Sequence, residues 1–143
     1  MHAEGKDNVF ARHEACAAAS RAGLEALGFE LFADPSFASK TVTAAKLPDG
    51  HDWKAFNTAI KSHGVVLAGG QGKLTGTILR LGHLGSVTVE DVLDVIAVME
   101  RVELEEGRPL QPGHAVGAAQ AAALAVEVPG AAGAVADPAA VPA

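Results

Sequence analysis

Arg80 has the strongest chemical case in this chain. It lies in Thr77-Ile78-Leu79-Arg80-Leu81-Gly82, where Thr77, Leu79 and Leu81 alternate with Ile78, Arg80 and Gly82 in the two-residue period of a strand. A guanidinium among buried leucines is costly unless something anionic meets it. Near a strand end, beside a glycine that leaves room, it can grip a carboxylate through two parallel hydrogen bonds. The same position also suits a structural ion pair with Glu90 or Asp91. The residue pattern leaves both readings open.

The loop Gly69-Gly70-Gln71-Gly72 precedes this strand and is a candidate wall of the same site. It is not a phosphate loop: Leu67 stands where the first glycine would be required, and Leu74 where Ser or Thr must follow the Gly-Lys pair. Nor is it a dinucleotide fingerprint, since Thr75 replaces the third glycine and a strand, not a helix, follows. The glycines serve a tight turn or a close backbone approach to a ligand.

Lys73, at the mouth of the loop, reads as a solvated turn residue. Lys40, which as a lysine could form a Schiff base, reads as a solvated loop residue in a segment without other chemical signature. His2, His13, His51, His63, His83 and His114 form no pair at metal-ligand spacing, so no metal centre is expected. Ser20, Ser36, Ser39, Ser62 and Ser86 have no nucleophile-elbow context. Cys16 is the sole cysteine, which rules out an internal disulfide, and it reads as a small buried helix residue.

These residues need elements to position them. An alanine-rich helix is expected over 7–27, capped by Asp7 and stopped by Gly28, with Phe10, Ala17, Leu24 and Leu27 on its buried side. Short strands follow at 29–32 and 41–47, the second ended by the turn Pro48-Asp49-Gly50. Asp52 caps a second helix to His63, with Trp53, Phe56 and Ile60 on one face. Strands at 65–68 and 77–81 flank the glycine loop. Thr88 and Asp91 form a capping box for a third helix, whose core stripe is Val92, Val95, Ile96, Met99 and Val102. This order predicts an α+β two-layer sandwich, a small mostly antiparallel sheet with helices on one face. One domain is expected over 1–108, an alanine-rich helical segment over 109–127, and a disordered Pro/Gly/Ala/Val tail over 128–143.

With 143 residues, 49% hydrophobic and 20% charged, the chain suits a single globular domain. Its net charge of −6 argues against nucleic acid and anionic membrane surfaces as partners. The N-terminal stretch has no apolar core of a signal peptide, and no apolar run approaches the roughly 18 residues of a membrane span. Cytoplasm is the expected compartment.

Several segments together resemble the C-terminal small domain of class V, fold-type I aminotransferases that use pyridoxal phosphate (PLP), in the alanine–glyoxylate and serine–glyoxylate group. They are Glu4-Gly5, Asn8-Val9-Phe10-Ala11-Arg12-His13, Ala26-Leu27-Gly28, Thr41-Val42-Thr43-Ala44, Gly64 to Gly72, Arg80-Leu81-Gly82-His83-Leu84-Gly85 and Asp91-Val92-Leu93. The resemblance runs unbroken over roughly residues 4 to 105. It implies that Arg80 binds the substrate carboxylate and that the glycine loop lies near a domain junction. It also implies that the large domain, with the Schiff-base lysine, the aspartate at the pyridine nitrogen, the stacking aromatic and the phosphate cup, is absent from this chain. The resemblance therefore implies no cofactor for the chain alone and PLP for the complete enzyme, because the cofactor does the carbanion chemistry. The partners implied are a separate chain carrying that large domain or a second copy of this one. A stand-alone module that binds a small carboxylate or a protein is the remaining alternative.

Overall fold

The computed structural model describes residues 3–126. The elements run α1 (Lys6–Ala26), β1 (Glu30–Leu31), β2 (Val42–Lys46), α2 (Trp53–Ser62), β3 (Ala68–Gly69), β4 (Ile78–Gly82), α3 (Val89–Glu105) and α4 (His114–Leu124). A four-stranded antiparallel sheet of order β1-β2-β4-β3 is flanked by helices, with α1 against β1 and β2, α2 against α3, and α4 against α1 and α3.

The sheet is registered by β2 against β4, with Thr43 opposite Leu81, Ala44 opposite Arg80 and Ala45 opposite Leu79. Because strand side chains alternate, Thr43, Ala45, Leu79 and Leu81 share one face, and all four are buried. They meet Cys16, Ala19 and Leu24 of α1, Ile60 of α2, and Ile96 and Met99 of α3 in a continuous core. α4 joins this core through Ala115 and Ala119, packed against the small side chains of α1. The length of a two-stranded hairpin could not stand alone; helix cover on one face supplies the apolar burial that holds the sheet.

The α+β reading and the order of elements hold. Asp52 caps α2 by accepting from the Ala55 N–H at 2.7 Å. Thr88 and Asp91 form the expected capping box, with Asp91 N–H donating to Thr88 Oγ1 at 3.2 Å and Thr88 N–H to Asp91 Oδ2 at 2.8 Å. Of the expected stripe, Val92, Ile96, Met99 and Val102 are buried and Val95 is half-buried.

Three local expectations are corrected. Phe10 is 57% exposed: α1 turns Val9 and Ala11 inward instead, and the Phe10 ring lies beneath the Lys6 ammonium, 5.5 Å from its nitrogen. Asp7 lies inside the first turn, because Gly5 occupies the cap position. The strand expected at 65–68 shrinks to Ala68–Gly69, since the Val65 N–H folds back to the Ile60 carbonyl at the end of α2 and cannot enter the ladder. The tail at 128–143 lies outside the described residues.

Candidate functional site

Arg80 is the central residue of β4, between Ala44 of β2 and Ala68 of β3. It is half-buried, and its Nε donates to the Gly69 carbonyl at 3.0 Å. That bond restrains the guanidinium through its stem-side nitrogen. The two terminal nitrogens make no hydrogen bond to a described residue, which leaves the paired donors that match a carboxylate.

Arg80 lines a cavity of about 330 Å³. Its walls are Val66 and Leu67 ahead of β3, Ala68 within it, Leu81 and Gly82 beyond Arg80, Val87 before α3, and Asp91, Val92 and Val95 in the first turns of α3. The setting is an apolar recess with one cation, the form a small carboxylate site takes. Neither internal ion pair is formed, for among the described residues no carboxylate lies within ion-pair distance of Arg80. Asp91 shares the cavity, but its carboxylate is held by the Thr88 backbone and hydroxyl, which also lower its pKa. Glu90 is exposed and takes no part in the wall.

The glycine loop meets Arg80 at one point, the Gly69 carbonyl. Its shape follows from contacts within the domain. A Cβ on Gly69 would lie 2.8 Å from the Trp53 ring, and one on Gly70 only 2.0 Å from the Leu74 carbonyl oxygen. Gly70 donates its N–H to the Ile78 carbonyl at 3.1 Å, and Gly72 opens a single 3-10 turn, Gly72–Leu74. Gln71, Gly72 and Lys73 are exposed and lie outside the cavity wall.

The residues present do not fit PLP. Such a site needs a lysine in reach of the cofactor aldehyde, and all six lysines are exposed, with none on the wall of the Arg80 cavity. Lys40 pairs with Glu14 and Lys46 with Glu30. The one acid on the wall, Asp91, is held by its capping box. Among the described residues no cluster of three or more His, Cys, Asp or Glu could hold a metal ion. No described helix is long and apolar enough to cross a membrane.

Three polar networks escaped the sequence reading. Arg12 grips the Glu4 carboxylate through Nε and Nη2 at 2.8 and 2.9 Å, while its Nη1 donates to the carbonyls of Gly85 and Val87, both at 2.8 Å. His51 bonds through Nε2 to buried Glu103 at 2.7 Å and through Nδ1 to Arg108 at 3.0 Å; because arginine only donates, Nδ1 must accept and Nε2 carries the proton. Glu100, also buried, accepts from the Gly113 and Ala115 N–H groups at 2.8 Å each and so caps α4. The signal for both glutamates was available, since each falls four residues after a stripe residue, Ile96 or Met99, on the buried side of α3.

A broader depression of about 770 Å³ opens beside the start of α1, lined by Glu4, Val9, Arg12, His13, Leu84 and Ser86 among others. Its one arginine is fully occupied by Glu4 and the two carbonyls, so it presents no free cation. In the smaller cavity the Arg80 terminal nitrogens have no hydrogen-bond partner among the described residues.

No family profile matches the chain. It is 44% identical over 105 residues to an uncharacterised aminotransferase of Methanocaldococcus jannaschii, covering 73% of this chain and 27% of that protein. It is 39% identical over 120 residues to the L-aspartate–glyoxylate aminotransferase of Paracoccus denitrificans, covering 82% and 30%. In three dimensions it superposes on the ureidoglycine–glyoxylate aminotransferase of Bacillus subtilis with a TM-score of 0.78 and 33% identity, over 85% of this chain and 32% of that one. The chain thus spans less than a third of the length of these relatives. Sequence and fold together make it homologous to part of the fold-type I, class V-like PLP-dependent aminotransferases of the alanine/serine/ureidoglycine–glyoxylate group.

Proposed function

We propose that this chain is the small domain of a PLP-dependent aminotransferase of the alanine/serine–glyoxylate type. In this reading Arg80 clamps the carboxylate of the amino acid or oxo acid substrate, and transamination requires a large domain that brings the lysine and the cofactor. The observation that carries the reading is the unpaired terminal fork of Arg80 in an apolar recess. The relatives' names support the substrate class, since the Paracoccus and Bacillus proteins both act with glyoxylate, a small carboxylate.

PLP supplies the electron sink of transamination when bound, and this chain's residues would contribute substrate orientation beside it. Gly69 holds the arginine through its carbonyl, and Val66, Leu67 and Val92 narrow the recess around the carboxylate end. Val66, on the cavity wall, is 77% exposed, and Leu84, which lines the neighbouring depression, is 55% exposed. Apolar side chains left open beside a half-built site favour a second body closing over it, and a separate large-domain chain is the occupant that completes the chemistry.

The test is a titration of the isotopically labelled chain with glyoxylate, pyruvate and L-alanine, followed by amide and Arg80 side-chain NMR signals. Saturable shifts at Arg80, Gly69 and Val92 are expected. Arg80→Gln should weaken binding about tenfold or more, from the 1.5–3 kcal/mol typical of a charge-assisted hydrogen bond. Equal binding by the Arg80→Gln chain overturns the assignment.

A further inference from the structure

One wall of the cavity is tied from outside the sheet. Its α3 side begins at Val87, in the connection between β4 and α3, and neither strand nor helix hydrogen bonding fixes the segment from Leu84 to Val87. The segment is tied from outside. Arg12, 73 residues earlier than Gly85 and 75 earlier than Val87, reaches across from α1 and donates to both carbonyls at 2.8 Å. The Cys16 thiol adds a weak contact to the Val87 carbonyl at 3.7 Å.

Arg12 is in turn held from its other side. Both Glu4 oxygens engage it, at 2.8 and 2.9 Å, so the guanidinium is gripped in a bidentate fork and cannot rotate without breaking two bonds. An ordinary surface ion pair contributes little. This one differs because its cation also bridges two otherwise unfixed carbonyls beside a cavity wall. The capping box then passes the position of Val87 to Asp91 through Thr88, and Asp91 lines the same cavity.

We infer that the Glu4–Arg12 pair is a positioning device for the Arg80 cavity. By fixing Gly85 and Val87 it sets the distance between the α3 wall and the Arg80 guanidinium, and with it the affinity for the carboxylate. The inference rests on the carboxylate reading of Arg80 for its consequence in binding, but not for its consequence in geometry. Arg12 does not touch the ligand; it acts through Val87.

Glu4→Gln, Arg12→Lys and Arg12→Gln test it in the full chain. Lysine keeps the charge but cannot fork onto Glu4 and bridge two carbonyls together, so it should rescue only in part. Three readouts are taken together: thermal stability, NMR signals of residues 82–91 and Arg80, and affinity for glyoxylate. Expected are shifts at Val87, Asp91 and the Arg80 side chain in all three variants. Glyoxylate affinity should fall roughly 3- to 30-fold, in the order Glu4→Gln, Arg12→Lys, Arg12→Gln. Glu4 is exposed, so Glu4→Gln should leave the fold intact and keeps the test readable if Arg12→Gln unfolds the chain. Signals that change only around residues 4–12, with Arg80 and Asp91 unmoved, overturn the inference. If the unsubstituted chain binds no glyoxylate, the carboxylate reading fails by itself. The positioning role is then decided by whether the Arg80 and Asp91 signals move.

Discussion

At the scale of single residues, the folded state here is set by polar groups with fixed partners. His83 is satisfied on one side: its side chain is fully buried, its Nε2 lies 2.8 Å from Thr43 Oγ1 and its backbone N–H donates to the Thr41 carbonyl, while its Nδ1 has no partner among the described residues. Burial pushes its pKa below the ordinary 6.5, and the nearby charge of Arg21 acts in the same direction. In the unfolded chain the imidazole takes up a proton near 6.5, which the folded state resists. More protons bound to the unfolded state means stability falls as pH drops. The contribution of His83 should therefore be complete above about pH 6.5 and decline below it, by at most ~1.4 kcal/mol per pH unit for one proton. Urea unfolding at a series of pH values checks this: His83→Gln should flatten the slope below that point, and an unchanged slope would remove His83 from the account. Arg80 was legible because a charge between leucines breaks the strand pattern. Arg12 was not. Two of its partners are backbone carbonyls more than 70 residues away, and carbonyls carry no residue signature.

At the scale of elements, the glycine loop shows what composition can and cannot reveal. The residues marked a tight, side-chain-free passage, and Gly70 confirms one against the Leu74 carbonyl. What they could not show was how little strand precedes it. Val65 carries a β-branched side chain, yet its N–H serves the end of α2, a competition decided by tertiary placement. Helices were read more faithfully because caps are local: Asp52 and the Thr88–Asp91 box lie within three residues of the groups they satisfy. Phe10 misled for a related reason, since an alanine-rich helix gives a weak apolar stripe and the small residues Ala15, Cys16 and Ala19 define its buried side. Gly70→Ala tests the loop. Its added methyl collides with backbone that cannot rotate away, so a loss of about 1–3 kcal/mol is expected in urea unfolding, together with weaker glyoxylate binding as Gly69 releases Arg80. Unchanged stability would mean that the turn relaxes freely.

At the scale of the whole molecule, one close-packed core supports an inner strand, β4, whose arginine lines an apolar recess. The lysines lie outward, and the exposed Val66 lines the recess. In the proposed reading Arg80 orients a carboxylate, while the proton and electron movements of transamination call for groups that the described residues do not place near it. In the same reading Arg80 serves a substrate once a PLP-binding body closes over this face. That reading is tested most directly by complementation. The part of the Paracoccus L-aspartate–glyoxylate aminotransferase that this chain does not match is produced separately, mixed with this chain, and assayed with PLP and glyoxylate. The account predicts turnover in the mixture, with kcat/KM reduced about tenfold or more when the added chain carries Arg80→Gln. Turnover indifferent to Arg80→Gln would contradict it.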